Sequence, residues 1–362
     1  MKTVRKLIKP AIQEMTAYPV PEHACHIKLD AMENPYSWPG ELKEKWLEEL
    51  RGVQVNRYPP SSPESLIRKL RRSLDIPDDL GVLLGNGSDE LIQLLCMSVS
   101  GPGCTLVTPE PGFVMYRLIS RYLDLQYRGV SLHADTFSLD CDTMLDVIDQ
   151  LEPELVFIAC PNNPTGNFFD IDAITRIIRA APGLVVIDEA YHAFSGKSFI
   201  NRLSEFENVI VLRTLSKSGL AGIRLGLMIG PGECIVELNK ARLPYNINIL
   251  TQKTAEFILD HDNILSRQTG EICKNRDLMY GRMQSMDTVS VWPSEANFLL
   301  FRCNNTDARV VHAELDKKGI LIKNMDGVHP LLHNCLRVTV GTAEENRLFL
   351  DELEQLLRVG PI

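Results

Sequence analysis

The sequence predicts an α/β protein, in which a mostly parallel sheet sandwiched by helices is followed by a smaller α+β domain. Over the first 250 residues, short runs rich in Val, Ile and Leu alternate with longer amphipathic stretches. This alternation is typical of parallel sheets with helices on both faces. The runs that predict strands are 81–85, 105–109, 155–160, 184–188 and 209–214.

The pattern changes after about residue 250. A long helical stretch near 251–284 leads into strand-like runs at 294–302 and 335–341, and a final helix is predicted over 343–359. This order predicts a smaller α+β domain that the N-terminal arm joins. The predicted division is an N-terminal arm and small-domain segment (1–35), a large domain (36–250) and a small C-terminal domain (251–362).

Composition narrows the class of partner. The chain has 362 residues, is 44% hydrophobic and carries a formal net charge of -9, which argues against general affinity for nucleic acid or for an anionic membrane. A small-molecule partner is the expectation. The basic N-terminus lacks a following apolar stretch, and no run of 18 apolar residues occurs, so we expect a cytoplasmic, unanchored protein.

The nine cysteines are scattered, with no Cys-x-x-Cys pair and no histidine cluster at metal-ligand spacing. We interpret them as reduced thiols and predict no metal site.

Lys217 lies in the run VLRTLSKSGLAGIRLG (211–226), directly after a predicted strand. A lysine in a loop is usually exposed, and that alternative applies here too. The carboxyl end of a buried strand, however, opens into the cleft where such sheets bind ligands. Partial desolvation there lowers the pKa of a lysine, and its neutral amine becomes a nucleophile towards carbonyl groups.

Two further runs end in polar residues. Asp188 and Glu189 follow the strand-like run 184–188, where a carboxylate either caps a helix or turn or pairs with a cationic ring nitrogen. The run PNNPTGN (161–167) contains two asparagines, which form an ordinary turn or offer amides to a ligand.

The stretch LLGNGSDELIQLL (83–95) places Gly85, Gly87, Ser88 and Asp89 at the start of an amphipathic helix. One interpretation is a Ser or Asp N-cap. The other is a phosphate site, because free N–H groups at a positive helix end attract anions. The spacing is not that of a Walker loop, so nucleotide hydrolysis is not expected.

Taken together these parts are the ones that hold pyridoxal 5'-phosphate (PLP). The chain resembles the fold-type I, class I/II PLP-dependent aminotransferases, and within them the histidinol-phosphate aminotransferase branch. The resemblance runs in order over nearly the whole chain. Its motifs are KLDAMENPY (28–36), NRYPP (56–60), GNGSDELI (85–92), PGFVMYR (111–117), PNNPTGN (161–167), DEAYHAF (188–194), RTLSKSGLAGIRLG (213–226), EANFLL (295–300) and LRVTVGTAEEN (336–346).

The resemblance implies roles around the cofactor ring. Lys217 is expected to bind the cofactor aldehyde and then to move the proton between Cα and C4'. Asp188 is expected to keep the pyridine nitrogen protonated, and Asn163 and Tyr191 to bond the phenolic oxygen. Phe113 is expected to stack on the ring face.

The resemblance also implies a phosphate site and a second subunit. The residues expected at the cofactor phosphate are Gly87, Ser88, Asp89, Ser216 and Arg224. Tyr58 matches a tyrosine that the family lends to the phosphate of the neighbouring subunit, so a homodimer is expected.

For the substrate, Arg337 matches the arginine that grips the carboxylate of glutamate and 2-oxoglutarate, and Tyr18 resembles the tyrosine that closes over the substrate. Lys323 stands where many family members carry an arginine associated with the substrate phosphate, and lysine keeps the charge but loses the fork. Asn34 is expected to organise the turn at 34–36 rather than to touch ligand.

The implied activity is transamination between L-histidinol phosphate with 2-oxoglutarate and imidazole-acetol phosphate with L-glutamate, a step of histidine biosynthesis. The alternatives are a threonine-phosphate-type PLP decarboxylase, an aromatic amino-acid aminotransferase and a non-catalytic PLP-binding sensor. The shape of the side-chain pocket separates imidazole from aromatic substrates, and that preference is assigned here by the resemblance alone.

Overall fold

The computed structural model describes residues 7–17 and 25–359. In chain order its strands are β1 (Ile27–Lys28), β2 (Leu80–Asn86), β3 (Thr105–Glu110), β4 (Gln126–Ser131), β5 (Leu155–Ala159), β6 (Leu184–Asp188), β7 (Val209–Thr214), β8 (Leu225–Pro231), β9 (Val289–Val291), β10 (Phe298–Cys303), β11 (Ile320–Leu321), β12 (Lys323–Asn324) and β13 (Cys335–Thr339).

The α-helices of the described residues alternate with these strands. They are α1 (Pro10–Gln13), α2 (Gly40–Arg51), α3 (Glu64–Ser73), α4 (Ser88–Val99), α5 (Val114–Tyr122), α6 (Cys141–Leu151), α7 (Ile171–Ala180), α8 (His192–Ser195), α9 (Gly232–Asn239), α10 (Ile249–Leu259), α11 (Asn263–Gln284), α12 (Ala308–Lys317) and α13 (Ala343–Val359).

A seven-stranded sheet in the order β2-β8-β7-β6-β5-β3-β4 forms the centre of the molecule. Strands β3 to β7 pair in parallel, and β8 runs antiparallel to both β7 and β2. Every residue of β5 and of β7 is buried, as expected for strands covered on both faces. All five predicted strand runs lie in this sheet, so the predicted fold class is confirmed.

Short polar side chains cap the starts of four α-helices in the described residues. Asp140, Asp170, Asn248 and Asp307 each accept a hydrogen bond from a backbone N–H in the first turn of α6, α7, α10 and α12 respectively. Helix α4 has no such cap, because its N-cap is Gly87, which has no side chain to supply the bond.

A second, antiparallel sheet in the order β12-β13-β10-β9 carries the C-terminal part of the chain. Both strand runs predicted there are present, as β10 and β13. Ile27 pairs with Ile320 in a short parallel ladder of β1 and β11, so the N-terminal segment joins the C-terminal region. The division into 1–35, 36–250 and 251–362 stays a prediction.

The helical stretch predicted near 251–284 is two helices rather than one. Helix α10 ends at Leu259 and α11 begins at Asn263. Trp46 of α2 donates from Nε1 to Thr254 Oγ1 at 3.0 Å, and Lys69 of α3 donates to Glu256 O at 3.1 Å. These bonds hold α10 against α2 and α3, whereas α11 continues towards the second sheet.

The apolar core has one layer on each face of the central sheet and a third cluster around β10 and β13. Alternate residues of the buried strands supply the two layers, since successive side chains point to opposite faces. Across 7–17 and 25–359, none of the helices combines the length and apolarity that a membrane crossing needs.

Candidate active site

A cleft opens at the carboxyl ends of β5, β6 and β7. Parallel strands bring the residues that follow them to the same edge of the sheet, so motifs far apart in the chain meet there. The predicted site residues that line the cleft are Ser88, Asp89, Phe113, Asn163, Asp188, Tyr191, Ser216, Lys217 and Arg224.

Lys217 lies in a tight π-type turn, Ser216–Leu220, directly after β7. Its Nζ donates to the carbonyl oxygen of Ala31 at 3.2 Å and lies 5.8 Å from the centroid of the Tyr191 ring. Burial, followed by the positive charge of Arg337, lowers the pKa of Lys217 to about 8. About a tenth of the amine is therefore neutral at pH 7, far more than for an ordinary lysine, and the neutral form is the one that nucleophilic attack requires. The exposed-loop alternative is wrong.

Asp188 is the last residue of β6 and is 4% exposed. Its Oδ2 accepts a hydrogen bond from the Tyr116 hydroxyl at 2.7 Å, and its Oδ1 accepts one from the N–H of Ala190 at 3.1 Å. Burial raises the pKa of Asp188 to about 6, and these two hydrogen bonds oppose that rise. The carboxylate thus caps a turn and also faces the cleft, and its pairing with a ring nitrogen stays a prediction.

Asn163 and Tyr191 lie side by side in the cleft, because the Asn163 amide donates to the Tyr191 hydroxyl at 3.2 Å. Arg337 Nη1 donates to Asn163 Oδ1, which links the guanidinium to this pair. The other asparagine of the motif, Asn162, donates instead to Pro111 O at 2.9 Å. Only one of the two asparagines that the sequence offered to a ligand therefore faces the cleft.

The start of α4 forms one wall of the cleft. Gly87 has φ +83°, a conformation that favours glycine, and a Cβ there would lie 2.5 Å from Arg224 Nη2. Ser88 and Asp89 lie inside the first turn, so the interpretation of either as the N-cap is wrong. The bare helix end and the guanidinium next to it are features that attract an anion.

Hydroxyl groups complete this wall. Thr214 Oγ1 donates to Ser216 Oγ at 2.9 Å and accepts a hydrogen bond from Ser216 N at 3.1 Å. Arg224 Nη1 lies 3.4 Å from Ser216 Oγ, and its Nη2 forms an ion pair with Asp89 at 3.0 Å. Arg224 adopts φ +50°, so its backbone turns sharply before β8.

Arg337 and Lys323 form a cationic pair beside the cleft. They lie opposite each other in the antiparallel ladder of β12 and β13. Arg337 is buried, donates from Nη2 to Asp30 O at 3.0 Å, and lies 5.4 Å from the Phe298 ring centroid. Burial, followed by the charge of Arg337, lowers the pKa of Lys323. Two cations so close favour an anion between or beside them.

The predicted aromatic residues other than Tyr191 have different outcomes. Phe113 lines the cleft and contacts Tyr116 edge-to-face, with ring centroids 5.5 Å apart. Tyr58 lies outside the cleft of its own chain, is 82% exposed, and stacks on Tyr245 with centroids 4.7 Å apart. Tyr18 falls outside the described residues.

Behind the cleft, Glu189 and Arg213 form a buried ion pair, with Arg213 Nε donating to Glu189 Oε2 at 3.0 Å. Glu189 also accepts hydrogen bonds from Ser198 Oγ and Phe199 N. The pair joins the ends of β6 and β7, from which Asp188 and the Lys217 turn project.

Sequence reasoning missed Tyr116 and the Ala31 carbonyl. Tyr116 lies in PGFVMYR, three residues after Phe113 on the first turn of α5, and that helical spacing was the available signal. The Ala31 carbonyl carries no side-chain signal, since any residue supplies one. In the described residues, no group of three or more His, Cys, Asp and Glu side chains is placed to hold a metal ion.

Comparison with known proteins gives consistent results. The profile for aminotransferase class I and II matches residues 26–353. The chain is 52% identical over 351 residues, 97% of each chain, to histidinol-phosphate aminotransferase 2 of Nitrosococcus oceani. It is 45% identical over 358 residues, 99% of this chain and 100% of the relative, to histidinol-phosphate aminotransferase 2 of Burkholderia pseudomallei.

The fold is similar to that of solved structures. The histidinol-phosphate aminotransferase of Sinorhizobium meliloti, solved in complex with pyridoxal 5'-phosphate, superposes with a TM-score of 0.86 at 23% identity, covering 97% of this chain and 98% of that one. The profile match and the two full-length relatives are decisive: the chain belongs to the class I and II aminotransferase family.

Proposed function

We propose that the protein transfers the amino group of L-histidinol phosphate to 2-oxoglutarate, giving imidazole-acetol phosphate and L-glutamate, as a step of histidine biosynthesis. The observation that carries the proposal is the contact between Arg337 and Asn163, because it brings a buried guanidinium to the cleft that holds Lys217 and Asp188. The names of the Nitrosococcus and Burkholderia relatives support the same activity.

The residues of the cleft fit pyridoxal 5'-phosphate. Gly87 leaves room for the Arg224 guanidinium over the start of α4, and the Ser216 hydroxyl lies beside it, so the phosphate would bind there. The buried carboxylate of Asp188 is suited to a protonated ring nitrogen, because such a cation offsets the cost of burying the charge. Phe113 would cover the ring face.

When bound, the cofactor supplies an aldehyde that combines with amines and a protonated ring that withdraws the electron pair left at Cα. Asp188 would hold the proton on the ring nitrogen, and Tyr116 holds Asp188 in place. Asn163 and Tyr191 would donate or accept at the phenolic oxygen, where their own hydrogen bond already brings them together.

Lys217 would act twice. Its neutral amine would first bind the aldehyde, and after substrate has displaced it the amine would take the proton from Cα. The lowered pKa suits both tasks, because a base works best when its pKa lies near the working pH. Glutamate formation in a second half-reaction would return the protein to its starting form, so the kinetics would be ping-pong.

Arg337 would bind the carboxylate of glutamate and 2-oxoglutarate with the two nitrogens of its fork. Lys323, directly across the ladder, would add charge for the phosphate of histidinol phosphate. We expect Lys323→Ala to raise KM for histidinol phosphate by about ten-fold, the loss of one charge-assisted hydrogen bond, while KM for glutamate changes less. Lys323→Arg, the matched control, should keep KM for histidinol phosphate close to that of the wild type.

The test of substrate is a pair of kcat/KM values, one for histidinol phosphate and one for phenylalanine. We expect the value for histidinol phosphate to exceed that for phenylalanine by about 100-fold or more, since a substrate without the phosphate cannot form charge-assisted bonds to the Arg337 and Lys323 pair. Equal values would show an aromatic amino-acid aminotransferase instead.

The test of reaction type is a stopped-flow mixture of the cofactor-loaded protein with glutamate alone. A transaminase converts the cofactor to its pyridoxamine form and releases 2-oxoglutarate. A protein that shows no such conversion is not a transaminase, and assays for carbon dioxide release from threonine phosphate would then decide for a decarboxylase. Binding without any turnover would indicate a sensor.

We further propose a homodimer in which Tyr58 reaches the phosphate site of the partner. Support comes from the exposed apolar side chains at Val55, Leu243 and Tyr245, which lie on the two chain segments that the Tyr58–Tyr245 stack brings together. Leu243→Glu should convert the dimer to monomer in light scattering. A mixture of Tyr58→Ala and Lys217→Ala chains should regain activity, because one site of each mixed dimer is intact.

We place the protein in the cytoplasm. All nine cysteines are free, which suits a reducing compartment. Cell fractionation with an antibody against the chain tests this, and recovery from an oxidising compartment would contradict it.

A further inference from the structure

The segment 30–32 approaches the cleft through its backbone. Three successive carbonyl oxygens accept hydrogen bonds from three side chains: Asp30 O from Arg337 Nη2 at 3.0 Å, Ala31 O from Lys217 Nζ at 3.2 Å and Met32 O from Asn297 Nδ2 at 3.0 Å. Met32 has φ +53°, which turns the chain between these contacts. The segment therefore touches both the expected carboxylate site and the reactive amine.

Asn34 continues this segment and uses every hydrogen-bonding group of its side chain. Its Oδ1 accepts from Tyr36 N at 2.8 Å, which forms the turn predicted from the sequence. Its Nδ2 donates to Ser218 O at 3.3 Å and to Gln268 Oε1 at 3.0 Å. The turn at 34–36 needs only the Asn34 oxygen, so the two hydrogen bonds that Nδ2 donates are not required for that turn.

The residue that accepts from Asn34 is the neighbour of Lys217. The turn Ser216–Leu220 is closed by Leu220 N donating to Leu215 O at 3.2 Å, and Gly219 within it has φ +113°. A Cβ on Gly219 would lie 2.9 Å from Asn34 Nδ2, so the amide packs directly against the turn. A single π-type turn has few internal hydrogen bonds and depends on outside contacts for its shape.

The acceptor of the second Asn34 donor belongs to a rigid element. Gln268 is buried in α11, and its Nε2 donates to Ser37 O at 3.2 Å. Gln268 thus bonds both ends of the 34–37 turn. Because Asn34 also donates to Ser218, the lysine turn is connected to α11 through Asn34.

We propose that Asn34 is a positioning residue for Lys217: it fixes the lysine turn against α11 so that Nζ stays aligned with the substrate Cα. Asn34 touches neither substrate nor cofactor in this role, and the proposal rests on the transamination proposed above. Its loss acts through geometry, because misplacing a catalytic group by about 1 Å can cost up to about 100-fold in rate.

The decisive variant is Asn34→Asp, which keeps an oxygen for Tyr36 N and removes both donors. The matched control is Asn275→Ala. Asn275 is also a buried α11 residue, and it donates to the Tyr36 hydroxyl in the N-terminal segment at 3.2 Å. Among the described residues, no hydrogen bond joins Asn275 or Tyr36 to the lysine turn. If Asn34→Asp does not fold, Gln268→Leu replaces it as the test variant. This substitution removes one acceptor of the Asn34 amide, and we expect a smaller effect from it.

Two measurements follow. In single-turnover reactions of loaded protein with glutamate, Asn34→Asp should lower the rate about ten-fold and enlarge the isotope effect of α-deuterated glutamate, with glutamate affinity unchanged. In cofactor-free protein, hydrogen–deuterium exchange should become faster in the 215–220 peptide. Asn275→Ala should change neither the isotope effect nor that exchange.

The proposal is overturned if Asn34→Asp and Asn275→Ala give the same isotope effect and the same exchange of the 215–220 peptide. A wild-type protein that fails to react with glutamate refutes the transamination proposal alone, because the exchange measurement on cofactor-free protein still decides whether Asn34 holds the turn.

Discussion

The Tyr116 hydroxyl donates to Oδ2 of Asp188 at 2.7 Å, and both side chains are buried at the floor of the cleft. Burial raises the pKa of Asp188 and the Tyr116 bond lowers it, so the tyrosine favours the ionised carboxylate. Tyr116 is itself held by stacking on Phe157, with centroids 4.6 Å apart. The ring that orients Asp188 is therefore fixed by the core of the sheet.

Tyr116→Phe should shift the acidic limb of the kcat/KM profile to higher pH. The variant loses the bond that favours ionised Asp188, so the pKa of the carboxyl rises and more of it is protonated at a given acidic pH. The measurement is kcat/KM between pH 5 and pH 9, the range in which a carboxyl of raised pKa titrates. Tyr122→Phe, on the same helix, is the control, and an acidic limb that moves equally in both variants contradicts the prediction.

Asp188→Asn should stabilise the cofactor-free protein at pH 8. The folded pKa of Asp188, about 6, lies above the ordinary value of 3.8, so its stabilising contribution is present below pH 3.8 and is lost as the pH rises through 6. The difference of about two pKa units corresponds to about 3 kcal/mol of unfolding free energy, less any lost hydrogen-bond strength.

Urea denaturation of the wild type and of Asp188→Asn without cofactor, at pH 4.5 and pH 8, measures the two unfolding free energies. The gain in unfolding free energy from Asp188→Asn should be larger at pH 8 than at pH 4.5. An equal gain at the two pH values would contradict the prediction. The same variant should bind pyridoxal 5'-phosphate more weakly, because the charge that faces the ring nitrogen is gone.

Cofactor-free protein should combine with pyridoxal 5'-phosphate faster as the pH rises towards the lowered pKa of Lys217, about 8. Only the neutral amine attacks the aldehyde, and its fraction grows about ten-fold per pH unit below the pKa. Stopped-flow absorbance between pH 6 and pH 9 gives the rates.

The matched substitution is Lys217→Ala, which should lose the absorption band near the visible edge while the circular dichroism spectrum stays that of a folded protein. Lys323→Ala should keep the band. A Lys217→Ala protein that retained it would show that a different lysine binds the aldehyde.

Arg213→Met should cost about 3–5 kcal/mol of unfolding free energy, because it leaves Glu189 buried without its cation. Adding Glu189→Gln should recover part of that loss, since a neutral amide still offers its oxygen to Phe199 N and can donate its N–H to Ser198 Oγ. Chemical denaturation of the single and double variants gives the coupling free energy between Arg213 and Glu189. Additive losses would show that the two side chains do not interact in the fold.

The sequence-based prediction succeeded where one short run carried both the element and the chemistry. Buried strands of Val, Ile and Leu end at Asp188 and at Thr214, and the polar residues after them lie in the cleft, as the rule for parallel sheets requires. It failed where the answer depended on neighbours distant in sequence. The break between α10 and α11 at 260–262 is an example, because hydrogen bonds from Trp46 and Lys69, both far away in the sequence, hold α10.

Pattern and chemistry along the chain determined the fold class, the strand positions and the residue types available for an aldehyde, a ring nitrogen and a phosphate. Tertiary structure decided which of them act together. Only packing shows that Asn163 faces the cleft while Asn162 bonds Pro111. Only packing shows that the backbone near Ala31 meets Lys217, since periodicity reports which face a residue lies on and cannot report which distant segment covers that face.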